Sequence, residues 1–179
     1  QIAGHSHRFR DDKPGGHGTV DMYKSIVVSC DTYYYQLAAE SDIDDTHAFM
    51  STLGFGRLSG VDLEGESAGV LPSREWKRKR FAGANYRDSI SAGIGQGYTA
   101  FTPLQLAHAT ATVANDGVAF RPHLVKQVEN LRTGEVTRIA AESTHTLPVS
   151  KEHIEVIRNA LVGVNREGTS RRAFDGAKY

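Results

Sequence analysis

The sequence predicts an α+β domain, and three observations carry that expectation. Apolar residues recur at helical spacing in several separate blocks, whereas Val118 to Ile139 alternates as strands do. The chain also has 179 residues, 39% of them hydrophobic and 23% charged, an ordinary globular composition with length enough for a core. One unit over residues 1–179 is therefore expected. Basic and acidic residues are equal at 21 each, which removes the electrostatic argument for a nucleic-acid partner. No stretch approaches the ~18–20 apolar residues of a membrane helix and Gln1 does not open a signal peptide, so any membrane anchor or export signal is expected outside this chain.

Residues 1–18 are rich in Gly, His and charge, and Pro14-Gly15-Gly16 marks a loop. From Asp21, a fair N-cap, Met22, Ile26 and Val27 share a helical face that leads into Ser29. The run Tyr33 to Ala39 has strand propensity in its tyrosines, but its Leu-Ala-Ala tail and its closeness to the preceding helix favour a second helix. Asp44 to Leu53 reads as a third, closed by Gly54. Gly54 to Gly97 reads mostly as loop with short strands. The basic run Arg74 to Arg80 is read as a solvated face.

Thr102-Pro103-Leu104-Gln105 is the best local signal, with threonine as N-cap, proline at the first helical position and glutamine completing a capping box. That helix runs to about Asn115 with Leu104, Ala107, Ala111 and Ala114 as its apolar stripe. Val118 to Ile139 suggests two strands joined near Thr133-Gly134. Ser150 caps a last helix whose expected buried face is Ile154, Ile157, Leu161 and Val164, ended by Gly168-Thr169.

Ser29-Cys30-Asp31 places a hydroxyl and a carboxylate two residues apart at a helix junction, where both can face one cleft. Such triplets are common, and a capping role for Ser29 or Asp31 competes with a catalytic one. Gly93-x-Gly95-x-Gly97 gathers backbone amides but lacks the Gly-Lys-Ser/Thr ending of a phosphate loop, and tight backbone packing is the better reading. Asp11, His17 and Cys30 are metal-competent, and carboxylate, imidazole and thiolate together suit zinc. Their spacing is not a finger pattern, and Cys30, the only cysteine, can equally be a buried apolar residue. His47, His108, His123, His145 and His153 suggest no cluster.

Six segments occur in one order: Gly-His-Gly-Thr-Val at 16–20, Ser-Cys-Asp-Thr-Tyr-Tyr-Tyr-Gln at 29–36, Leu-Gly-Phe-Gly at 53–56, Arg-Glu-Trp-Lys at 74–77, Gly-Ile-Gly-Gln-Gly-Tyr at 93–98 and Thr-Pro-Leu-Gln at 102–105. Together they resemble the elongation-type penicillin-binding D,D-transpeptidases of Gram-negative bacteria, the penicillin-binding protein 2 group, over essentially the whole chain. The resemblance implies part of the β-lactamase/transpeptidase-like (penicilloyl-serine transferase) fold, mostly its helical subdomain plus some strands. It also implies a serine-type D-Ala–D-Ala transpeptidase or carboxypeptidase of peptidoglycan synthesis, acting on stem peptides and acylated by β-lactams. A membrane glycosyltransferase as partner and the periplasmic face of the inner membrane as location follow in the same way. Of the three motifs such enzymes use, only the second, Ser29-x-Asp31, is present; no Ser-x-x-Lys or Lys-Ser/Thr-Gly occurs. The chain is accordingly expected to be an internal, partial transpeptidase domain, inert by itself, with the third motif soon after Gly176-Ala177-Lys178-Tyr179.

In this family Ser29 would relay a proton between the nucleophile's lysine and the departing amine, while Asp31 would orient the lysine and the substrate amide. Aspartate stands where Ser-x-Asn is commoner, and a carboxylate cannot donate as a carboxamide does. Some members carry a structural zinc beside this motif, held by two aspartates, a histidine and a cysteine. The matching positions here are Asp11, His17 and Cys30, with the other aspartate expected just before Gln1 and water, His5, His7 or Asp12 as stand-ins. The competing readings are a non-catalytic β-lactam-sensing module on the same fold and a zinc-binding scaffold module.

Overall fold

The computed structural model describes residues 2, 7–81 and 89–177. Eight helices and four strands are formed among them. Residues 7–18 carry neither helix nor strand, as the glycines and charges lead one to expect. Two short helices then meet almost head to tail: α1 (Met22–Val27), capped by Asp21 accepting from the Lys24 amide at 2.8 Å, and α2 (Asp31–Glu40). On α1 the buried side chains are Ser25 and Val27, and Met22 is exposed, so the expected Met22 edge of the face is not used.

α3 (Ile43–Thr52) is capped by Asp42, and Gly54 follows at φ +92°, a left-handed conformation that glycine adopts without the Cβ penalty. The stretch read as loop with short strands is more helical than its composition suggests. It contains α4 (Arg74–Arg80) and α5 (Ser89–Ala92), and its strand character amounts to one bridge between Val70 and Ala100 among the described residues. α4 forms because Ser73 caps it, accepting from Trp76 at 3.0 Å, and because the Arg74 guanidinium pairs with Asp42 and Asp44 at the start of α3. Arg78, Lys79 and Arg80 face solvent, but Lys77 is buried and its ammonium lies over the Tyr98 ring, so the basic run is not uniformly solvated.

α6 (Pro103–Ala114) has the expected capping box in full. Its buried face is Gln105, Ala109 and Thr112, not the alanine stripe; Ala107, Ala111 and Ala114 are exposed. The helix is turned by the demands of Gln105, whose carboxamide donates to the Arg57 and Ala68 carbonyls and accepts from the Thr102 amide. Phe55, Leu71 and Ala109 form the core beside it, with Met50, Leu53 and Phe101 packed around them and the Phe55 and Phe101 rings 4.1 Å apart.

Four strands follow rather than two. β1 (Val118–Phe120) pairs antiparallel with β4 (Ser143–Thr146), and between them β2 (Gln127–Glu129) and β3 (Val136–Arg138) make a separate hairpin turning through Thr133-Gly134. All six hairpin residues are exposed. α7 (Lys151–Arg166), capped by Ser150, buries Ile154, Ala160 and Gly163, while Leu161 is exposed. The face is rotated because α7 must admit α1, whose Tyr23 and Val27 lie against Gly163. α8 (Arg171–Phe174) ends the described elements. No helix among the described residues is long and apolar enough to cross a membrane.

Candidate active site and metal centre

The junction of α1 and α2 determines what Ser29, Cys30 and Asp31 can do. The Cys30 amide donates to Ser25 O at 2.9 Å and the Ser29 amide to Ile26 O at 3.2 Å, the paired bonds of a Schellman cap. Ser29 occupies the left-handed position of that cap at φ +56°. Glycine is the usual occupant, because a Cβ there costs ~1–2 kcal/mol. Ser29 is held in that conformation while exposed, with no hydrogen-bond partner for its hydroxyl among the described residues; Asp116, also exposed, is the other non-glycine residue among them at positive φ.

One residue on, the chain turns inward. Cys30 is 1% exposed, and its thiol donates to Asp11 Oδ2 at 3.2 Å. The same oxygen accepts from the Thr32 hydroxyl at 3.0 Å and the Thr32 amide at 3.3 Å. The other oxygen, Oδ1, lies 3.1 Å from His17 Nδ1, yet the two are not aligned as donor and acceptor, and both are buried without a hydrogen-bond partner. Carboxylate, imidazole and thiol thus fall within 4.8 Å of one another. A tetrahedral zinc with Zn–N/O bonds of about 2.0–2.1 Å and Zn–S of about 2.3 Å sets its ligand atoms roughly 3.3–3.6 Å apart. Two of the separations, Asp11–His17 at 3.1 Å and Asp11–Cys30 at 3.2 Å, come near that spacing, the donor types suit zinc, and the two unpartnered atoms are ones such an ion would satisfy.

The electrostatics follow from the packing. Burial raises the Asp11 carboxyl, but contacts from Asp12, Cys30 and Thr32 outweigh it and hold the group well below the usual carboxylate range. Asp31 is pushed up, first by burial and then by the charges of Asp11 and Asp12, with His17 opposing. Asp31 opens α2 as its first residue while Ser29 leaves from the cap of α1, and neither lines the four cavities around α2. One of these, about 290 Å³, lies between α2, α3 and the Gly93 segment. Gly93 is needed there, since a Cβ would sit 2.6 Å from that of Ala38. Close packing is therefore what the glycine run does at its first member.

Of the stand-ins for a fourth ligand, His7 packs edge-on against Phe9 and neither it nor Asp12 joins the cluster; His5, like Lys178 and Tyr179, lies outside the described residues. Four of the remaining histidines have structural work, bonding backbone carbonyls: His47 that of Pro72, His108 that of Phe120, His123 that of Val125 and His145 that of Thr52. Thr32 escapes a reading from sequence. Its one signal is its place two residues after Cys30, and its partner is 21 residues away.

Comparison with known proteins gives the family. Residues 4–179 match the family model described as the penicillin binding protein transpeptidase domain. The chain is 46% identical over 178 residues to the peptidoglycan D,D-transpeptidase MrdA of Haemophilus influenzae, covering 96% of this chain and 27% of that protein. It is 42% identical over 171 residues to MrdA of Acinetobacter baumannii, covering 95% of this chain and 25% of the relative. The chain thus spans about a quarter of the length of these curated relatives. Among solved structures, Pseudomonas aeruginosa PBP2 in complex with WCK 5153 superposes with a TM-score of 0.83 at 35% identity, covering all of this chain and 40% of that one. PBP2 of Helicobacter pylori in complex with MreC gives 0.81 at 30%, covering 97% and 31%. An exposed Ser-x-Asp serine in a strained cap, a match across 4–179 and these superpositions lead to one conclusion: this chain belongs to the penicillin-binding protein transpeptidase family and carries its β-lactamase/transpeptidase-like fold.

Proposed function

We propose that this chain is part of a peptidoglycan D,D-transpeptidase of cell elongation, and that Ser29 and Asp31 are its second catalytic motif. The observation that carries the reading is Ser29 itself, exposed in a left-handed cap where glycine would be cheaper. In the reaction a serine outside these residues attacks the carbonyl between the two D-alanines of a stem peptide, forming an ester and expelling D-alanine with a proton on its amine. The amine of a neighbouring stem peptide then attacks the ester, forms the cross-link and restores the serine; water in its place gives carboxypeptidase action. Ser29 both accepts and donates, so it relays the proton towards the leaving amine. Asp31, lifted by burial and its acidic neighbours, accepts from the catalytic lysine and the substrate amide.

Asp11, His17 and Cys30 would hold a structural zinc with a fourth donor from elsewhere. Bound there, zinc supplies no chemistry to the substrate; it takes up the charge of Asp11 and of the Cys30 thiolate and pins the 11–17 loop to the junction. β-Lactams would acylate the same serine as substrate does. A periplasmic site at the inner membrane and a membrane glycosyltransferase as partner complete the reading, by analogy with the elongation enzymes.

The test is acylation by a fluorescent penicillin. The full-length protein should label, its Ser29→Ala variant should label on the order of 100-fold more slowly, and residues 1–179 alone should not label at all. Full-rate labelling of Ser29→Ala defeats the proton-relay role. Metal analysis of the full-length protein should find one zinc, lost in Cys30→Ala; a metal-free native protein defeats the zinc reading.

A further inference from the structure

The last four carbonyls of a helix lack partners within it, and the end of α1 shows where each goes. Lys24 O is met by the Val28 amide, Ser25 O by Cys30 and Ile26 O by Ser29, all from the cap itself. Val27 O is met from the far side of the chain by the Thr169 amide, at 3.3 Å. That bond requires the backbone after α7 to lie directly on the Ser29 turn, and Gly168 makes the approach possible. A Cβ on Gly168 would stand 2.2 Å from Val27 O and 2.8 Å from the Val164 Cα, contacts that can be relieved only by moving backbone. The cap is held from its other side by Ser25, wholly buried, whose hydroxyl donates to Met22 O at 2.8 Å and lies 3.2 Å from the Tyr34 hydroxyl.

We infer that Gly168 and Thr169 are positioning residues for Ser29: they fix the carbonyl two residues before it and so set where its hydroxyl points. The inference rests on the proton-relay reading of Ser29. Ser29 spends conformational energy to stand in the left-handed region, so its turn holds only while the surrounding bonds over-determine it. Three of those bonds are local. The fourth ties the turn to α7, beside a glycine whose added Cβ would meet Val27 and Val164. Loss of the tie releases the cap towards a relaxed backbone and swings the hydroxyl off the line of proton transfer, and a displacement of about 1 Å at a reacting group is worth up to ~100-fold in rate.

The experiment separates acylation into non-covalent binding and the chemical step, using a fluorescent penicillin and the full-length protein. Gly168→Ala, which fills the approach, and Thr169→Pro, which removes the amide proton and sets a ring carbon against Val27 O, should each slow the chemical step on the order of tenfold or more while leaving the binding constant unchanged. In a Ser29→Ala background neither should slow it further. Tyr23→Phe is the control: it breaks the 2.6 Å bond to Glu167 elsewhere on the α1–α7 seam and should lower the melting temperature without slowing acylation. Normal acylation by folded Gly168→Ala, or a full additional loss in the Ser29→Ala background, overturns the inference and leaves the relay reading standing. Normal acylation by Ser29→Ala sinks both. Hydrogen exchange on the unmodified protein gives a check independent of how the variants fold: the Thr169 amide should open together with those of Ser29 and Cys30, and exchange of Thr169 at the rate of an exposed amide would refute the tie.

Discussion

Thr32 shows how a single hydroxyl can tune a site it does not complete. It donates twice to Asp11 Oδ2, by its side chain and its backbone, and its oxygen lies 3.3 Å from the Cys30 sulfur. These bonds orient the carboxylate with its other oxygen turned to His17. Replacing Thr32 with valine keeps the shape and the backbone bond but removes the hydroxyl, and on the proposed zinc reading the affinity for that ion should fall about tenfold, read by competition with a chromophoric chelator. Asp62 offers a cleaner electrostatic case. Its carboxylate accepts from the Leu124 amide at 2.6 Å and the Val125 amide at 3.0 Å, bonds that hold it below its ordinary range. A lowered folded-state value means the stabilisation is present above the unfolded-state value of about 3.9 and is lost as pH falls through the folded one. Asp62→Asn should therefore melt below the wild type at neutral pH, and the gap should close as the pH is taken below about 4. At this scale the sequence was informative where chemistry is local. Asp11, His17 and Cys30 were nameable as a donor set, but their mutual distance and the role of Thr32 depend on a fold-back of 19–21 residues that no spacing rule encodes.

Helices were readable where they begin and less so where they bury. Asp21, Thr102 and Ser150 all cap as their residue types require, since a cap is decided within four residues. The faces of α6 and α7 were misjudged for a shared reason: hydrophobicity nominated Ala111 and Leu161, whereas contacts 37 to 140 residues away selected Gln105 and Gly163. α4 was obscured because its seven residues are mostly charged, and its support comes from Asp42 and Asp44 on another helix. Gln105 is the element's keystone. It is 1% exposed and spends both ends of its carboxamide on backbone groups, so Gln105→Ala leaves three partners unmet in a dry setting. A loss of about 2–4 kcal/mol is expected, measured by urea unfolding, against about 1 kcal/mol for Thr102→Ala, which removes only the cap.

Taken whole, the molecule divides into a packed body and an appendage. The β2–β3 hairpin makes no ladder with β1–β4, its six residues are exposed, and Leu131 in its turn is 94% exposed. Its base is narrow, with the Ile139 amide on Lys126 O at 3.0 Å. Replacing residues 127–138 by a short glycine-asparagine turn should shift unfolding free energy by no more than about 0.5–1 kcal/mol and leave zinc content unchanged; a larger loss would show that the hairpin supports the body. The α+β class was legible because strong helix signals flank one alternating stretch. The pairing of β1 with β4 was not, since Ser143 to Thr146 lacks an apolar alternation and finds its place only through a long-range partner.

The left-handed serine finally sets thermostability and activity against each other at one codon. Ser29→Gly removes the Cβ penalty and should raise the stability of the full-length protein by about 1 kcal/mol while slowing its penicillin labelling on the order of 100-fold, two readings from the same purified protein. Laboratory evolution for heat resistance, run without a labelling screen, would be drawn to that glycine and would return a robust protein that is slow to acylate.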